Sequence, residues 1–501
     1  MSTIVPRWEW RTFGTRFGPA ERSFAALTPG AVQESEELYL VTELGGNVKV
    51  RDGLMDVKVL REVDADGLER WEPVMKQAFP LAADDVVRVF EAFALAPPEL
   101  AREAYSLDQL LTEVVGPTDA VRVVPVHKRR ARYTLAGCMA EVADVVADGR
   151  SIRTIAIESE DPAAVTAAVR SVGLDGYVNT SYPKGLAALV EGRPERYAVI
   201  DVGTNSIKFH LAERDPGGSW RTLVDRAEMT RLGEGLQEHG TIAPGPLERT
   251  VTAVAGMVEE ARGAGVRAIA AVGTAGLRIA RNRDDVVAAI REGAGVTVEV
   301  IPGGEESRLA YLAVKAGLGL AEGSLVVFDT GGGSSQFTFG TGERVDERFS
   351  LDVGAVRYTE RFGLADQVSP EVLAEVLEAI SADLSRLDGR PVPDALVGMG
   401  GAVTNIAAVK HGLAVYDPDV VQGSVLDRVE VDRQIELYRS LDADGRRAIV
   451  GLQPKRAEVI LAGACIVRTV MDKLGQQTLT VSDRGLRHGV LLERFGDRPG
   501  A

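Results

Sequence analysis

Asp201, Gly203, Thr204, Asn205 and Ser206 fall together in AVIDVGTNSIKFHLAE, and Asp329, Gly331, Gly332, Gly333 and Ser334 fall together in LVVFDTGGGSSQFTFG. In each stretch an apolar strand ends at an aspartate, a turn of small residues follows, and a second strand leaves. Successive main-chain N–H groups in such a turn converge on one concavity and bind an anion. Glycine lets the anion approach the main chain, and the aspartate can take Mg²⁺ directly or through water. For one copy, a turn that merely joins two strands is the plainer reading. A second copy, again with an aspartate at the strand end, favours the chemical one. A Rossmann or Walker loop would run into a helix. Here Ile207, Phe209 and Leu211 alternate with Lys208, His210 and Ala212 instead.

A third stretch, VEVIPGGEESRLAYLAVKAGL at 298–318, reads as a strand, a Pro-Gly-Gly break and a helix beginning near Glu305. Leu309, Leu312, Ala313 and Ala316 are its expected buried stripe. Glu306, three residues before Leu309, then sits at the helix tip beside that stripe, where a carboxylate can take a proton from an attacking water. Acidic residues also favour helix N-termini through the macrodipole, and spacing alone leans to that alternative. Arg278, in GTAGLRIARN after the strand 268–272, is either a surface arginine or a bidentate phosphate clamp. In VGMGGAVTNIAAVK at 397–410, a Gly-Gly turn with Gly401 opens a helix whose N-terminus is a further anion site.

The first part of the chain carries a different cluster. Lys128, Arg130 and Arg132 share one strand face in HKRRARY. Lys49 and Arg51 alternate with Val48 and Val50 on a hairpin that also holds Lys58, and Ala156, Glu158 and Glu160 share one side of a strand. Basic rows facing acidic rows inside a closed sheet would suit a triphosphate and its metal ions. A solvated sheet face is the ordinary alternative.

These residues need elements to hold them. Strands are expected at 38–41, 47–60 (a hairpin turning at Asp-Gly), 121–126, 133–145 and 152–158. Helices are expected at 84–95 and 162–172, the latter burying Val165, Ala168, Val169 and Val172. Many strands with few helices suggest a sheet that closes or curls. VEGRPERY reads as a linker, so residues 1–190 form one domain and 191–196 a connection. Beyond it stand two α/β halves. Leu247, Val251, Val254, Ala255 and Val258 mark a helix of one half. Val372, Leu373, Val376, Leu377, Ile380 and Leu384 mark a helix of the other. Each half opens on an Asp–Gly hairpin, which implies a duplicated fold with a cleft between the halves.

Composition narrows the function classes. Hydrophobic residues at 45% and charged residues at 26% exclude a disordered chain and a small disulfide scaffold. No run of about 18 apolar residues offers a membrane span, and Met1–Gly14 lacks the apolar core of a signal peptide. Two separated cysteines fit a reducing cytoplasm, and five scattered histidines make a zinc site improbable. A net charge of −16 argues against nucleic-acid coating and against anionic membrane as partners. Aromatic residues at 5% disfavour a base-stacking single-strand binder.

Residues 197–496 resemble the exopolyphosphatase and guanosine-pentaphosphate phosphatase (Ppx/GppA) family of the actin-like superfamily. The matching stretches, in order, are AVIDVGTNSIKFHLAE, RLGEGL at 231–236, GTAGLRIARN, VIPGGEESRL, FDTGGGSSQ, LDVGAVRYTERF at 351–362, GMGGAVTN, RAEVILAGA at 456–464 and VSDRGLRHGVL at 481–491. The resemblance implies a lobe I at 197–318, completed by 482–496, and a lobe II at 319–481. It also implies roles: Glu306 as catalytic base, Asp201 and Asp329 around Mg²⁺ (or Mn²⁺), Gly203–Ser206 and Gly331–Ser334 as phosphate cradles, and Arg278 on the terminal phosphate. Gln336 stands where many members have a metal-holding glutamate, which puts metal affinity in question. Little sequence follows Phe495, so the extra C-terminal helical domain of some members is expected to be lacking. The implied activity is Mg²⁺-dependent release of terminal phosphate from inorganic polyphosphate. The alternatives are hydrolysis of guanosine pentaphosphate (pppGpp) and a non-catalytic sensor of either polyanion, and a homodimer is a further expectation.

Residues 5–190 resemble the CYTH, or triphosphate-tunnel, family on the Lys49/Arg51 pair, Lys58, HKRRARY, the Glu158/Glu160 pair and SYPKGLAAL at 181–189. The resemblance implies an α+β antiparallel barrel binding a polyanion. The family's opening E-x-E-x-K is replaced by Arg7-x-Glu9-x-Arg11. One acidic position has become basic, which undermines metal binding there and leaves anion binding in place.

Overall fold

The computed structural model describes residues 6–42, 45–65, 67–320 and 323–496; the first five residues of the Met1–Gly14 stretch lie outside them. Eight antiparallel strands close into a barrel: β1 (Arg7–Gly14), β2 (Ala31–Val41), β3 (Asn47–Arg51), β4 (Leu54–Val63), β5 (Glu69–Ala78), β6 (Arg122–Leu135), β7 (Cys138–Ala147) and β8 (Arg150–Ser159). The strand order is β1-β8-β7-β6-β2-β3-β4-β5, and β5 returns to β1. Asp52-Gly53 turns the expected β3–β4 hairpin with both residues at positive φ. Ala136-Gly137 does the same between β6 and β7. The single strand expected at 133–145 is therefore two strands. Alanine is an unusual residue for the left-handed region, so this turn lacks the Asn-Gly or Asp-Gly signal that reveals a hairpin.

Because side chains alternate across a strand, each barrel strand has an inward and an outward row. The outward rows are apolar and covered by helices. Val48, Val50, Met55 and Val57 pack under α2 (Ala83–Ala92) through Val86, Val89 and Phe90. Trp10, Ile155 and Ile157 pack with Phe24 of α1 (Pro19–Ala25) and Val165, Ala168 and Val169 of α3 (Pro162–Ser171). The inward rows change character along the barrel. Arg11 gives way to Phe13, Lys128 to Val126 and Val124, and Glu141 to Ala143 and Val145. These apolar residues pack with Tyr182, Leu186 and Val190 of α4 (Tyr182–Glu191). A Cβ on Gly185 would lie 2.2 Å from the Phe13 ring, so glycine sets how closely α4 seats. The interior is thus a charged cavity with an apolar floor.

The chain divides into two compact units. One holds the barrel, the chain on to Val272, Ile279–Glu299 and the stretch from Leu491; the other holds Gly273–Arg278 and Val300–Val490. This division differs from the sequence partition. No unit boundary falls at 191–196, and helix 303–318 belongs to the second unit. Only Gly192, Arg193 and Pro194 separate α4 from the next strand. The barrel is also tied to the first-unit sheet: Ile269 N–H donates to Gly176 O at 2.8 Å and Val178 N–H to Arg267 O at 2.9 Å. The Tyr197 ring stacks on Phe495 at 4.6 Å between centroids.

The first-unit sheet comprises β9 (Glu195–Val202), β10 (Ser206–Arg214), β11 (Trp220–Met229), β12 (Ala268–Gly273) and β13 (Val298–Val300), in the order β11-β10-β9-β12-β13. The second-unit sheet comprises β14 (Ser324–Thr330), β15 (Ser335–Thr341), β16 (Arg344–Leu351), β17 (Ala395–Met399), β18 (Val425–Asp427) and β19 (Thr478–Val481), in the order β16-β15-β14-β17-β19-β18. Both run third strand, second, first, fourth, so the duplication expected from sequence is present.

Helix stripes are displaced from those expected. In α5 (Pro244–Gly263) the buried face is Thr250, Ala253, Val254, Met257, Val258 and Ala261, with Leu247, Val251 and Ala255 at its margin. In α6 (Gly303–Leu318) the buried residues are Leu309, Tyr311, Ala313 and Val314, while Leu312 is half-buried and Ala316 exposed. In α7 (Pro370–Asp383) Leu373, Val376 and Ile380 are buried, as expected.

Candidate active site

In the first unit, Asp201 is the penultimate residue of β9, almost wholly buried. The following turn closes when Gly203 N–H donates to Ser206 O at 3.2 Å. A Cβ on Gly203 would lie 2.6 Å from that oxygen, so the turn requires glycine. Thr204 and Asn205 form its exposed tip. RLGEGL braces the tip: Arg231 N–H donates to Asn205 O at 2.9 Å and Gly233 N–H to Thr204 O at 2.8 Å. Lys208 stands opposite Asp201 in register, its Nζ 3.3 Å from Oδ2. The other oxygen of Asp201, Oδ1, is buried with no hydrogen-bond partner. Leaving a buried carboxylate oxygen unpaired is costly, so this atom fits the needs of a divalent cation or its water.

The second-unit turn repeats the closure: Gly331 N–H donates to Ser334 O at 2.9 Å. Gly332 and Gly333 press against the next helix start, where a Cβ on Gly354 would lie 2.3 Å from Gly332 O. Asp329 faces Gln336 in register, as Asp201 faces Lys208. Gln336 Nε2 donates to Ser334 Oγ at 2.9 Å, fastening the turn to its own strand. Asp329 also lies against Gly400: a Cβ there would be 2.2 Å from Asp329 Oδ1, and Gly400 has φ +84°. Gly400 and Gly401 are not a free turn. They are the first residues of α8 (Gly400–His411). The guanidinium of Arg456 lies over Gly401, 2.6 Å from where its Cβ would be. Buried Asn405 ties this region together, donating to Gly401 O and accepting from Gln453 N–H, both at 2.8 Å.

Glu306 lies in the first turn of α6, but not as a lone base. Arg278 Nη1 donates to its Oε2 at 2.7 Å and to Ile301 O at 3.0 Å. Two residues expected to play separate parts are therefore an ion pair, about one quarter to one third exposed. Gly303 lies beside both Arg278 and Arg348: its Cβ would be 2.8 Å from Arg348 Nη1. Lys208, Arg348 and Arg456 join the residues expected from sequence. Lys208 was legible by duplication, since it and Gln336 each stand seven residues after the aspartate. Arg456 opens the RAEVILAGA stretch, and Arg348 carries no such mark.

In the barrel, Lys49, Arg51, Lys58, Lys128, Arg130, Arg132 and Glu158 all line a cavity of about 740 Å³, joined by Arg7, Glu9 and Arg11. Arg132 lies at an exposed position. Glu160 does not belong with them: β8 ends at Ser159 and Glu160 is exposed. Glu141 and Glu37 supply negative charge that the sequence reading missed. Lys128 Nζ is 2.7 Å from Glu141 Oε1, and Lys49 Nζ is 3.0 Å from Glu37 Oε2. Burial opposes ionisation of Glu141, but Lys128 and Arg11 outweigh it and hold the carboxyl at about 2. Lys49 and Lys128 do the same for Glu37, also to about 2, against its burial. Burial pushes the Lys128 ammonium down to about 8 against the pull of Glu141. Burial and the nearby Glu9 raise the Glu158 carboxyl.

A model described as the Ppx/GppA phosphatase family matches residues 211–497, more than half of the chain. Exopolyphosphatase 2 of Mycobacterium tuberculosis is 32% identical over 321 residues, covering 60% of this chain and 99% of that protein. The Bifunctional 3-dehydroquinate synthase/phosphatase of Fusobacterium nucleatum is 26% identical over 313 residues, 59% of this chain and 46% of that protein. Among solved structures, the Aquifex aeolicus Ppx/GppA phosphatase superposes with a TM-score of 0.56 at 32% identity, covering 60% of this chain and 99% of that one. No helix among the described residues is long and apolar enough to cross a membrane.

Proposed function

This chain belongs to the Ppx/GppA phosphatase family, and from that premise we propose that it releases terminal phosphate from inorganic polyphosphate by attack of water. The observation that carries the reading is the Arg278–Glu306 pair at the start of α6. A terminal phosphoryl group competes with Glu306 for the Arg278 fork, because guanidinium bonds phosphate oxygens bidentately. Once Arg278 turns to the substrate, Glu306 is released to accept a proton from water. The water oxygen bonds to the terminal phosphorus as the bridging P–O bond breaks. The shortened chain keeps the bridging oxygen and the bonding electrons, and orthophosphate leaves.

In each unit the turn offers phosphoryl oxygens its main-chain N–H groups other than those of Gly203 and Gly331, which close the turns, and the start of α8 at Gly401 with Arg456 offers a further anion contact. In the first unit Asp201, whose Oδ1 is unpartnered, and in the second Asp329, with Gln336 opposite it in register, each offer a carboxylate that would take Mg²⁺ or Mn²⁺. The ion supplies neutralisation of the charge that develops in phosphoryl transfer. Catalysis is then mainly positioning and electrostatics.

The test is phosphate release from polyphosphate in Mg²⁺, with wild type and Glu306→Gln compared and guanosine pentaphosphate added as competitor. Release that depends on Glu306 and is unaffected by equimolar guanosine pentaphosphate supports the proposal. Equal rates for the two proteins remove Glu306 from its role. Tight polyphosphate binding without turnover at any divalent metal overturns hydrolysis altogether.

A further inference from the structure

Arg348 stands exposed on β16 of the second unit. Register fixes the face it shares. Asp329 is opposite Gln336, and Gln336 is opposite Ser350. Cross-strand partners point to one face of a sheet, and so do residues two apart on a strand. Arg348 therefore lies on the face that carries Asp329 and Gln336, one row along, opposite Thr338. Val327 is in that row too. α6 packs on this face, since its Tyr311 and Val314 share a core with Leu325 and Val327.

The charged neighbours of Arg348 are engaged elsewhere. Glu347 is bridged to Arg386 and Arg390, and Asp346 to Arg344. Among the described residues, no hydrogen bond or ion pair holds the Arg348 side chain. The chain has 73 acidic residues against 57 basic ones, so a shortage of carboxylates does not account for this. Beside Arg348 stands another guanidinium instead. A Cβ on Gly303 would lie 2.8 Å from Arg348 Nη1, 3.3 Å from Arg348 Nη2 and 3.5 Å from Arg278 Nη2. Glycine keeps that space clear of a side chain, and three nitrogens of two arginines border it. Arg278 is anchored through its other terminal nitrogen, Nη1, by Glu306 and Ile301 O.

Two like charges so placed repel each other, and an anion that meets both relieves the repulsion. The arginine fork suits the paired oxygens of a phosphate. Arg278 is half-buried and Arg348 exposed. With the terminal phosphoryl group on Arg278, the rest of a phosphate chain leads outward, and the next phosphate in line meets Arg348. A phosphomonoester puts an uncharged alcohol there and leaves the two cations facing each other.

We propose that Arg348 binds the second phosphate of the substrate and so selects phosphoanhydride chains over phosphomonoesters. Specificity of this kind is a difference of affinities, and here one side chain supplies it. The inference rests on the assignment of Arg278 to the terminal phosphoryl group.

The experiment is phenylglyoxal labelling of the full chain carrying Glu306→Gln in Mg²⁺, read at each arginine by mass spectrometry. The protectants are sodium tripolyphosphate, orthophosphate and phenyl phosphate. Tripolyphosphate should protect Arg278 and Arg348 together, whereas orthophosphate and phenyl phosphate should protect Arg278 and leave Arg348 reactive. Kinetics on tripolyphosphate supply the second readout. Arg348→Ala should raise KM about tenfold with kcat changed less than about threefold, because a charged contact remote from the reacting bond is lost. Arg348→Lys should restore part of the loss. Arg348 is exposed and its side chain holds no partner, so neither variant should disturb folding. Protection of Arg278 by tripolyphosphate with Arg348 labelled as before overturns the proposal and leaves the phosphatase reading standing. Equal protection of Arg348 by orthophosphate overturns the second-phosphate assignment. Protection of neither arginine overturns the assignment of Arg278, and this inference with it.

Discussion

In the barrel, Lys49 and Lys128 present side-chain charge to the cavity, each already paired with Glu37 or Glu141. At Gly203–Ser206 and Gly331–Ser334 the polypeptide presents main-chain N–H groups and small side chains, with an aspartate at each strand end. The difference follows from where each site lies. Inside a closed sheet every backbone group is committed to the ladder, so only side chains can face the cavity. Side-chain charges buried there need counter-charges to fold at all. At the turns the ladder ends, and backbone donors other than those of Gly203 and Gly331 are released from it. The first arrangement suits holding a polyanion. The second suits doing chemistry on one.

This contrast can be broken from either side. The largest effect is expected from Glu306→Gln, which should lower phosphate release by about 10²–10⁴-fold while leaving tripolyphosphate affinity at the barrel unchanged. Gly400→Ala comes next. It combines a left-handed backbone position with a Cβ 2.2 Å from Asp329 Oδ1. A displacement of that order at a reacting site costs about 10²-fold in rate, so kcat should fall by about that factor with barrel binding intact. An equal loss of barrel affinity would mean that the two regions are not separable.

A pH dependence should mark the barrel alone. Lys128 faces Glu141, Arg11, Lys49, Glu37 and the Tyr182 ring, and burial sets its ammonium at about 8. A bound anion favours the protonated form. Tripolyphosphate affinity should therefore be flat below pH 7 and weaken as pH rises through 8, by about tenfold if one contact charge is lost. The measurement is titration at pH 7 and pH 9, and Lys128→Met should abolish the difference attributable to this residue. The smallest effect is expected of Gln336→Glu. It adds a carboxylate beside Asp329 and should lower the half-saturating Mg²⁺ concentration about two- to tenfold, because ligand charge tunes hard-cation affinity.

Much of this was legible residue by residue. Val48 and Val50 alternating with Lys49 and Arg51 announced a strand with two chemically distinct faces. The two Asp–Gly turns announced a repeated unit, and the sheets repeat accordingly. Other features left no local trace. The β6–β7 hairpin turns on Ala136-Gly137, where alanine gives no left-handed signal. The α6 stripe turned toward Tyr311 and Val314 because tertiary packing, not periodicity alone, selects the buried face. Glu160 kept the parity of Glu158, but its strand had already ended. Glu37 and Glu141 sit on strands of ordinary alternation, and only closure of the barrel makes them partners of Lys49 and Lys128.

The amino-acid order by itself determined the alternation that makes a two-faced sheet, the glycines that permit tight turns, and the duplicated Asp-turn-strand pattern. Each of these is a matter of neighbours a few residues apart, governed by backbone sterics and side-chain periodicity. Tertiary structure alone decided that Arg278 and Glu306 are paired, that Asp329 lies against Gly400, and that the inward barrel rows pass from charge to an apolar floor. Those outcomes join residues tens to more than a hundred positions apart. Close packing and charge compensation act only once the chain has brought such residues within a few ångströms.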